Sequence, residues 1–233
     1  YVPDRETGSV ELSVSIESAL GETTDANNSD NHKMRVIDEK IDVLYVEGMP
    51  RWEFRYLRWV LLRDPRLNVR FLMTQGDKHL AATSPHHISA FPTKAEDLLK
   101  IDLVILGDVH SRNFTADQIS WMETLVKKSG GSLLMLAGRI GSPSSYTESK
   151  IADMLPVKLD SVRWFGASPK AHPVVTQAGL ESSVVSLGDT RASTNRIWSR
   201  VRPLGFLPDL SGPKPGATTL LTIPLDASET YPL

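Results

Sequence analysis

Cysteine is absent from the 233-residue chain. Its absence excludes disulfides, thiolate metal sites and a cysteine nucleophile together, and leaves the cellular compartment open. Also missing is any apolar run near the roughly 20 residues that span a bilayer, or a basic segment followed by an apolar one at the start. There is no surplus of positive charge: 26 basic and 28 acidic residues are spread along the chain, for a formal charge of -2. Nucleic acid, which needs a concentrated positive field, is therefore not an expected partner. No GxGxxG or Walker pattern cradles a phosphate, and no internal repeat or low-complexity tract interrupts the chain. What remains, at 40% apolar residues, is enough to bury a core, in one large domain or one domain plus a piece of another.

Val10, Leu12, Val14 and Ile16 alternate with Glu11, Ser13, Ser15 and Glu17, the period of a strand with one buried face. "HKMRVIDEK" alternates again after a turn-rich connection, which predicts a β-hairpin over residues 1–40. A lone hairpin is marginal, so it is expected to close an upstream β-sandwich. The start at Tyr1 and the ending "SETYPL" fit an excised segment of a longer protein.

From Ile41 the pattern becomes continuous apolar runs separated by amphipathic stretches, as in parallel strands covered on both faces by helices. "IDVLYVEG", "LNVRFLMT", "IDLVILGD" and "SLLMLA" are the first four strands, and "GATTLLTIPL" is the expected fifth. Pro50 stands at the expected first turn of a helix that buries Phe54, Leu57 and Leu61. Thr93 with Glu96, Thr115 with Gln118 and Ser145 with Glu148 are spaced as helix caps; Phe114 and Ile119 are spaced as a hydrophobic staple. The second of these helices turns Ile119, Met122, Leu125 and Val126 inward. Beyond Pro156, "HPVVTQAG" and "SSVVSLG" are short strand or loop candidates, "STNRIWSRV" is a helix candidate, and residues 203–216 form a Pro- and Gly-rich surface loop. The fold class is thus α/β, a flavodoxin-like three-layer sandwich over residues 41–233 with parallel strand order 2-1-3-4-5.

Ligands of such sheets bind beyond the strand carboxyl ends, where strand order reverses. Glu47, Gly48, Met49, Pro50 and Arg51 would meet Gly107, Asp108 and His110 there, bordered by Gly138, Arg139 and Ser142. The glycines also read as turn residues that need positive φ or close approach. Arg51, Arg55 and Arg58 share a helical stripe that could bind an anion or simply be solvated or paired with acids. Asp108 and His110 could act as an acid/base or metal pair, although two residues do not make a site. His86 and His87 are expected to be exposed. Trp52, Trp59, Trp121, Trp164 and Trp198 read as core or interface anchors. Asn27 and Asn113 begin glycosylation tripeptides that matter only in a eukaryotic secreted protein. The turn "IGSPS" lacks both glycines of a serine elbow.

The stretches "VLYVEGMPRWEFRYLRWVLLRDP", "IDLVILGDV" and "FTADQISWMETLVKKSGGSLLMLAG" resemble the class I glutamine amidotransferase-like domain of large bacterial envelope proteins. In those proteins it follows a von Willebrand factor A-type and an immunoglobulin-like β domain. The resemblance runs from Ile41 to Pro156 and more loosely toward Leu233. It implies that residues 1–40 are the final hairpin of the β domain, and that the chain is the soluble portion of a membrane-anchored envelope protein. Neighbouring domains of the same polypeptide, a protein partner or a small ligand would be its contacts. True family enzymes carry a cysteine at the elbow and a histidine, any residue, glutamate pattern downstream. The elbow falls here on Ala137 or Gly138, and Val174 stands two residues after His172, so the resemblance carries the fold without the glutaminase chemistry. No catalytic residue, metal or cofactor is expected. The leading expectation is a non-catalytic module acting in assembly or ligand binding. A hydrolase using Asp108, His110 or a nearby serine with water or metal, and a structural spacer with its crevice filled by Met49 and Arg139, are the alternatives.

Overall fold

A computed structural model describes residues 8–17, 21, 24, 27–36, 40–77, 79–160, 162–166, 172–204, 206–226 and 229–232. The chain divides into two compact units, Tyr1–Lys40 and Ile41–Leu233, at the boundary where the hydropathy pattern changes.

In the first unit β1 (Gly8–Ser15) pairs antiparallel with β2 (Ser29–Val36), from Gly8 opposite Val36 to Ser15 opposite Ser29. The alternation had predicted this hairpin, but its apolar face is only half covered. Val10 and Leu12 are half-buried, whereas Val14 and Ile16 are exposed.

The second unit is built on β3 (Ile41–Glu47), β4 (Leu67–Met73), β5 (Leu103–Leu106) and β6 (Ser132–Met135), all parallel in the order β4-β3-β5-β6. Strand order reverses between β3 and β5. Helix α1 (Trp52–Arg63) lays Phe54, Leu57, Leu61 and Leu62 against Val43, Tyr45, Val69, Phe71 and Ile105. On the opposite face α4 (Ala116–Lys128) sets Met122 and Leu125 among Leu44, Val46, Val104 and Leu106. Both faces of β3 and β5 are thus covered, which explains their uninterrupted apolar runs. Each fully buried large side chain there contributes about 1.5–3 kcal/mol.

Of the three expected caps, the one at Thr115 forms. Thr115 Oγ1 accepts from the Gln118 amide at 3.2 Å, and Gln118 Oε1 accepts from the Thr115 amide at 2.9 Å. Phe114 and Ile119 join one apolar cluster, and Gly130, at φ 77°, stops the helix. The other two expected caps fail. Helix α3 (Ala95–Leu98) follows Lys94 with no side-chain cap. Ser145 instead accepts from the Ser111 amide at 2.9 Å, and α5 (Lys150–Met154) is capped by Ser149. Between α1 and α3 lies a single helical turn, α2 (Leu80–Thr83), and α1 starts two residues after Pro50, with Arg51 at its N-cap.

The expected fifth strand does not join the parallel sheet. After β7 (Arg163–Gly166) and β8 (Val174–Val175) come α6 (Gln177–Leu180), α7 (Arg191–Trp198) and β9 (Phe206–Asp209), then β10 (Leu221–Asp226) and β11 (Glu229–Pro232). Strand β10 pairs antiparallel with β8 and β11, and β7 with β9. Pro224, which has no N–H to give a ladder, lies beyond the Leu221 and Thr222 pairing with β8 and beside the register irregularity in the β11 pairing. The "SSVVSLG" segment forms turns, whereas the Pro-rich stretch after Pro203 contains β9. No helix among the described residues is long and apolar enough to cross a membrane.

Replacing Thr115 with Ala should lower stability in urea by about 1 kcal/mol. Thr93→Ala should stay within about 0.5 kcal/mol of the parent.

Candidate functional site

Glu47 ends β3 with its side chain fully buried. A buried carboxylate has to be paired and hydrogen-bonded to remain charged, and the neighbouring elements supply the partners. Tyr45, two residues back on the same face, donates its hydroxyl to Oε2 at 3.0 Å. Arg51 Nε donates to Oε2 at 3.0 Å, while the Gly48 and Asp108 amides donate to Oε1 at 3.0 and 2.7 Å. Arg51 also sends Nη1 to the Ala137 carbonyl at 3.0 Å. One side chain therefore gathers the carboxyl ends of β3, β5 and β6. Burial works against the Arg51 charge, but Glu47 outweighs it and raises the guanidinium above its ordinary value.

Asp108 repeats the device one step further out. Its Oδ1 accepts from the amides of Ile140, Gly141 and Ser142 at 3.2, 2.7 and 3.1 Å, and its Oδ2 from Ile140 at 3.0 Å. Consecutive amides turned inward make an anion-binding nest, and here an internal carboxylate fills it. The buried Ser142 hydroxyl donates to the Gly107 carbonyl at 2.7 Å, and the Gly138 amide donates to the Ser142 carbonyl at 2.7 Å. The turn between β6 and α5 is thereby locked onto the end of β5.

The strand-end glycines are required by proximity and not by φ, since none of Gly48, Gly107 and Gly138 has positive φ. A Cβ on Gly107 would meet the Glu47 carboxylate, and one on Gly138 would meet the carboxylate of Asp108. Position 138, one of the two expected for an elbow nucleophile, therefore admits no side chain without displacing Asp108.

The expected crevice exists as a cavity of about 460 Å³ lined by Met49, Pro50, Arg51, Glu53, Asp108, Gly138, Arg139 and Ile140. Gly48, Gly107 and Ser142 lie behind it as structural parts. Glu53 and Ile140 line it as well, and neither carries a motif in the sequence. His110 is not brought to Asp108: its Nδ1 accepts from the Arg112 amide at 3.2 Å and caps the turn at 111–113. Among the described residues no group of three or more His, Cys, Asp and Glu is placed to hold a metal ion. His172 Nδ1 lies 2.9 Å from the Val201 carbonyl, in a packing role.

A second cavity, of about 570 Å³, lies beside α1 and includes Arg51, Arg55, Arg58, Met73, Ser84 and His87. The arginine stripe diverges there. Arg51 is paired with Glu47, Arg55 rests over Trp52 at 5.3 Å, and Arg58 lies 5.8 Å from both the Trp59 and Phe71 rings. His86 is exposed as expected. His87 is half-buried instead, with its ring 5.5 Å from that of Phe71 and Nδ1 2.8 Å from Ser84 Oγ. Burial, and then the Arg58 charge, hold its pKa below the ordinary value. Trp121 packs on the core, and Trp198 donates to the Val185 carbonyl at 2.8 Å; Trp164 donates to Ser144 Oγ at 3.1 Å. Trp52 and Trp59 are exposed and are not core anchors.

Among known proteins, no family model, curated protein or solved structure matches the chain.

Glu47→Ala should cost about 3 kcal/mol in urea unfolding, because it strands the Arg51 charge and the amides of Gly48 and Asp108. Glu53→Ala, on the exposed side of the crevice, should change stability by less than about 0.5 kcal/mol. Burial, reinforced by the Glu47 charge, pushes the Tyr45 phenol far above its usual range. Burial does the same to Tyr146, with Ser142 opposing and the Asp108 charge adding. Both folded-state values exceed the unfolded value near 10. Their stabilisation is complete below about pH 10 and is lost as pH rises further. Stability curves in alkali should fall above that point, and Tyr45→Phe should flatten the fall.

Proposed function

We propose that this chain is a non-catalytic glutamine amidotransferase-like module of a larger bacterial envelope protein, acting in assembly or in binding a ligand or partner at the strand-end crevice. In this reading residues 41–233 are its flavodoxin-like α/β domain, and residues 1–40 are the last hairpin of an immunoglobulin-like β domain. The adjoining domains of the polypeptide are its first partners. One observation carries the proposal: the Asp108 carboxylate occupies the amides of 140–142 and closes over Gly138. Acyl transfer needs a nucleophile at such a turn and free donors for the oxyanion. Neither is available there, while an open cavity bounded by Arg51, Glu53 and Arg139 persists beside it.

The alternatives draw less support. A hydrolase would draw on Asp108, His110 or a nearby serine, and Asp108, His110 and Ser142 are each engaged in structural hydrogen bonds. A pure spacer would have Met49 and Arg139 fill the crevice, whereas both line about 460 Å³ of open space.

Ammonia release from glutamine at neutral pH is the direct test. The purified chain should give the buffer rate, unchanged by Arg139→Ala. Turnover that Arg139→Ala or Asp108→Asn abolishes would overturn the proposal.

A further inference from the structure

Helix α1 has two unlike sides. At about 100° per residue, Phe54, Leu57 and Leu61 share the side that packs on the sheet. Trp52, Tyr56, Trp59 and Arg63 fall within about 60° of arc on the opposite side. Trp52 is 65% exposed, Tyr56 67%, Trp59 53% and the flanking Val60 65%. Four large apolar residues exposed within nine positions form a continuous patch of the kind that marks an interaction surface.

The chemistry of the patch narrows its partner. The Trp52 and Tyr56 rings stack at 6.2 Å, and the Arg55 guanidinium lies over Trp52 at 5.3 Å. The exposed residues of the helix include Arg55 and Arg63 against the single acid Glu53, in a chain whose formal charge is -2. The partner is thus anionic as well as able to receive flat aromatic rings. Neither indole N–H of Trp52 and Trp59 takes part in a hydrogen bond among the described residues, which leaves each ring with an apolar body and a polar tip. Trp and Tyr with interleaved Arg, on one convex helix face, match the boundary between lipid headgroups and acyl chains.

We infer that the outer face of α1 docks on the surface of an anionic phospholipid bilayer, with Trp52, Tyr56 and Trp59 entering the interface and Arg55 and Arg63 facing the headgroups. The helix lies on the membrane and does not cross it. This inference is independent of the crevice and of the amidotransferase resemblance.

Co-sedimentation of the full chain with phosphatidylcholine vesicles, and with vesicles of equal parts phosphatidylcholine and phosphatidylglycerol, tests it. The chain should pellet with the mixed vesicles at low salt, stay in solution with the neutral ones, and dissociate as salt rises. Trp52→Ala with Trp59→Ala, and separately Arg55→Glu with Arg63→Glu, should each weaken binding about tenfold or more. All four side chains are exposed, and far-UV circular dichroism checks that each variant is folded; should the tryptophan pair fail to fold, the arginine pair decides. Failure to pellet with the mixed vesicles would overturn the inference, as would equal binding to neutral vesicles or undiminished binding by folded variants. A patch that instead drives self-association in gel filtration, without vesicle binding, would assign it to a protein partner and equally overturn it.

Discussion

The structure turns on a charge buried at a strand end. Glu47 sits fully buried where β3 stops, and its four donors come from three parts of the chain: Tyr45 and Gly48 beside it, Arg51 at the start of α1, and Asp108 at the end of β5. Arg51 is in turn held against the Ala137 carbonyl. Apolar packing fixes the sheet and its helices, but it is non-directional and cannot set the path of the loops. The buried carboxylate can, because each unsatisfied partner would cost about 1–3 kcal/mol.

The same logic, repeated at Asp108, determines what the turn after β6 can do. Three successive amides converge on a carboxylate supplied by the protein itself. A nest of this kind could in principle receive a substrate oxyanion or a bound anion, and here it is already occupied. The site keeps the geometry of an α/β strand-end crevice while its polar groups are committed to one another. What the crevice offers a partner is its rim: Met49, Glu53, Arg139 and Ile140.

Much of this is legible in the sequence. The apolar runs located β3 to β6, of which β3 and β5 are covered on both faces and need no alternation, and Thr115 with Gln118 located the start of α4 because both groups lie within one turn of the chain. Gly107, Asp108, Gly138 and Ser142 were assembled by topology alone. Other features depended on contacts distant in sequence. Asp108 looked like a candidate acid because nothing local showed that residues 140–142 would fold back onto it. Ser145 looked like a cap because its bond to Ser111 spans 34 residues. "GATTLLTIPL" looked like a core strand because of its apolar content, whereas its partners, β8 and β11, are set by pairings that no local pattern announces. The sequence left Trp52 and Trp59 as core or interface anchors; the core half of that reading fails because the inner arc of α1 is filled by Phe54, Leu57 and Leu61.

The central claim is that the strand-end turn is closed on Asp108. Amide hydrogen exchange of Gly141 and Ser142, followed residue by residue by NMR, tests it most directly, since neither belongs to a helix or strand. The account predicts that both amides exchange as slowly as those of β5, and that Asp108→Ala releases them while the sheet stays protected. Exchange at the rate of an open loop in the parent protein would contradict it, and would return a vacant nest, and with it an anion-accepting site, to the turn.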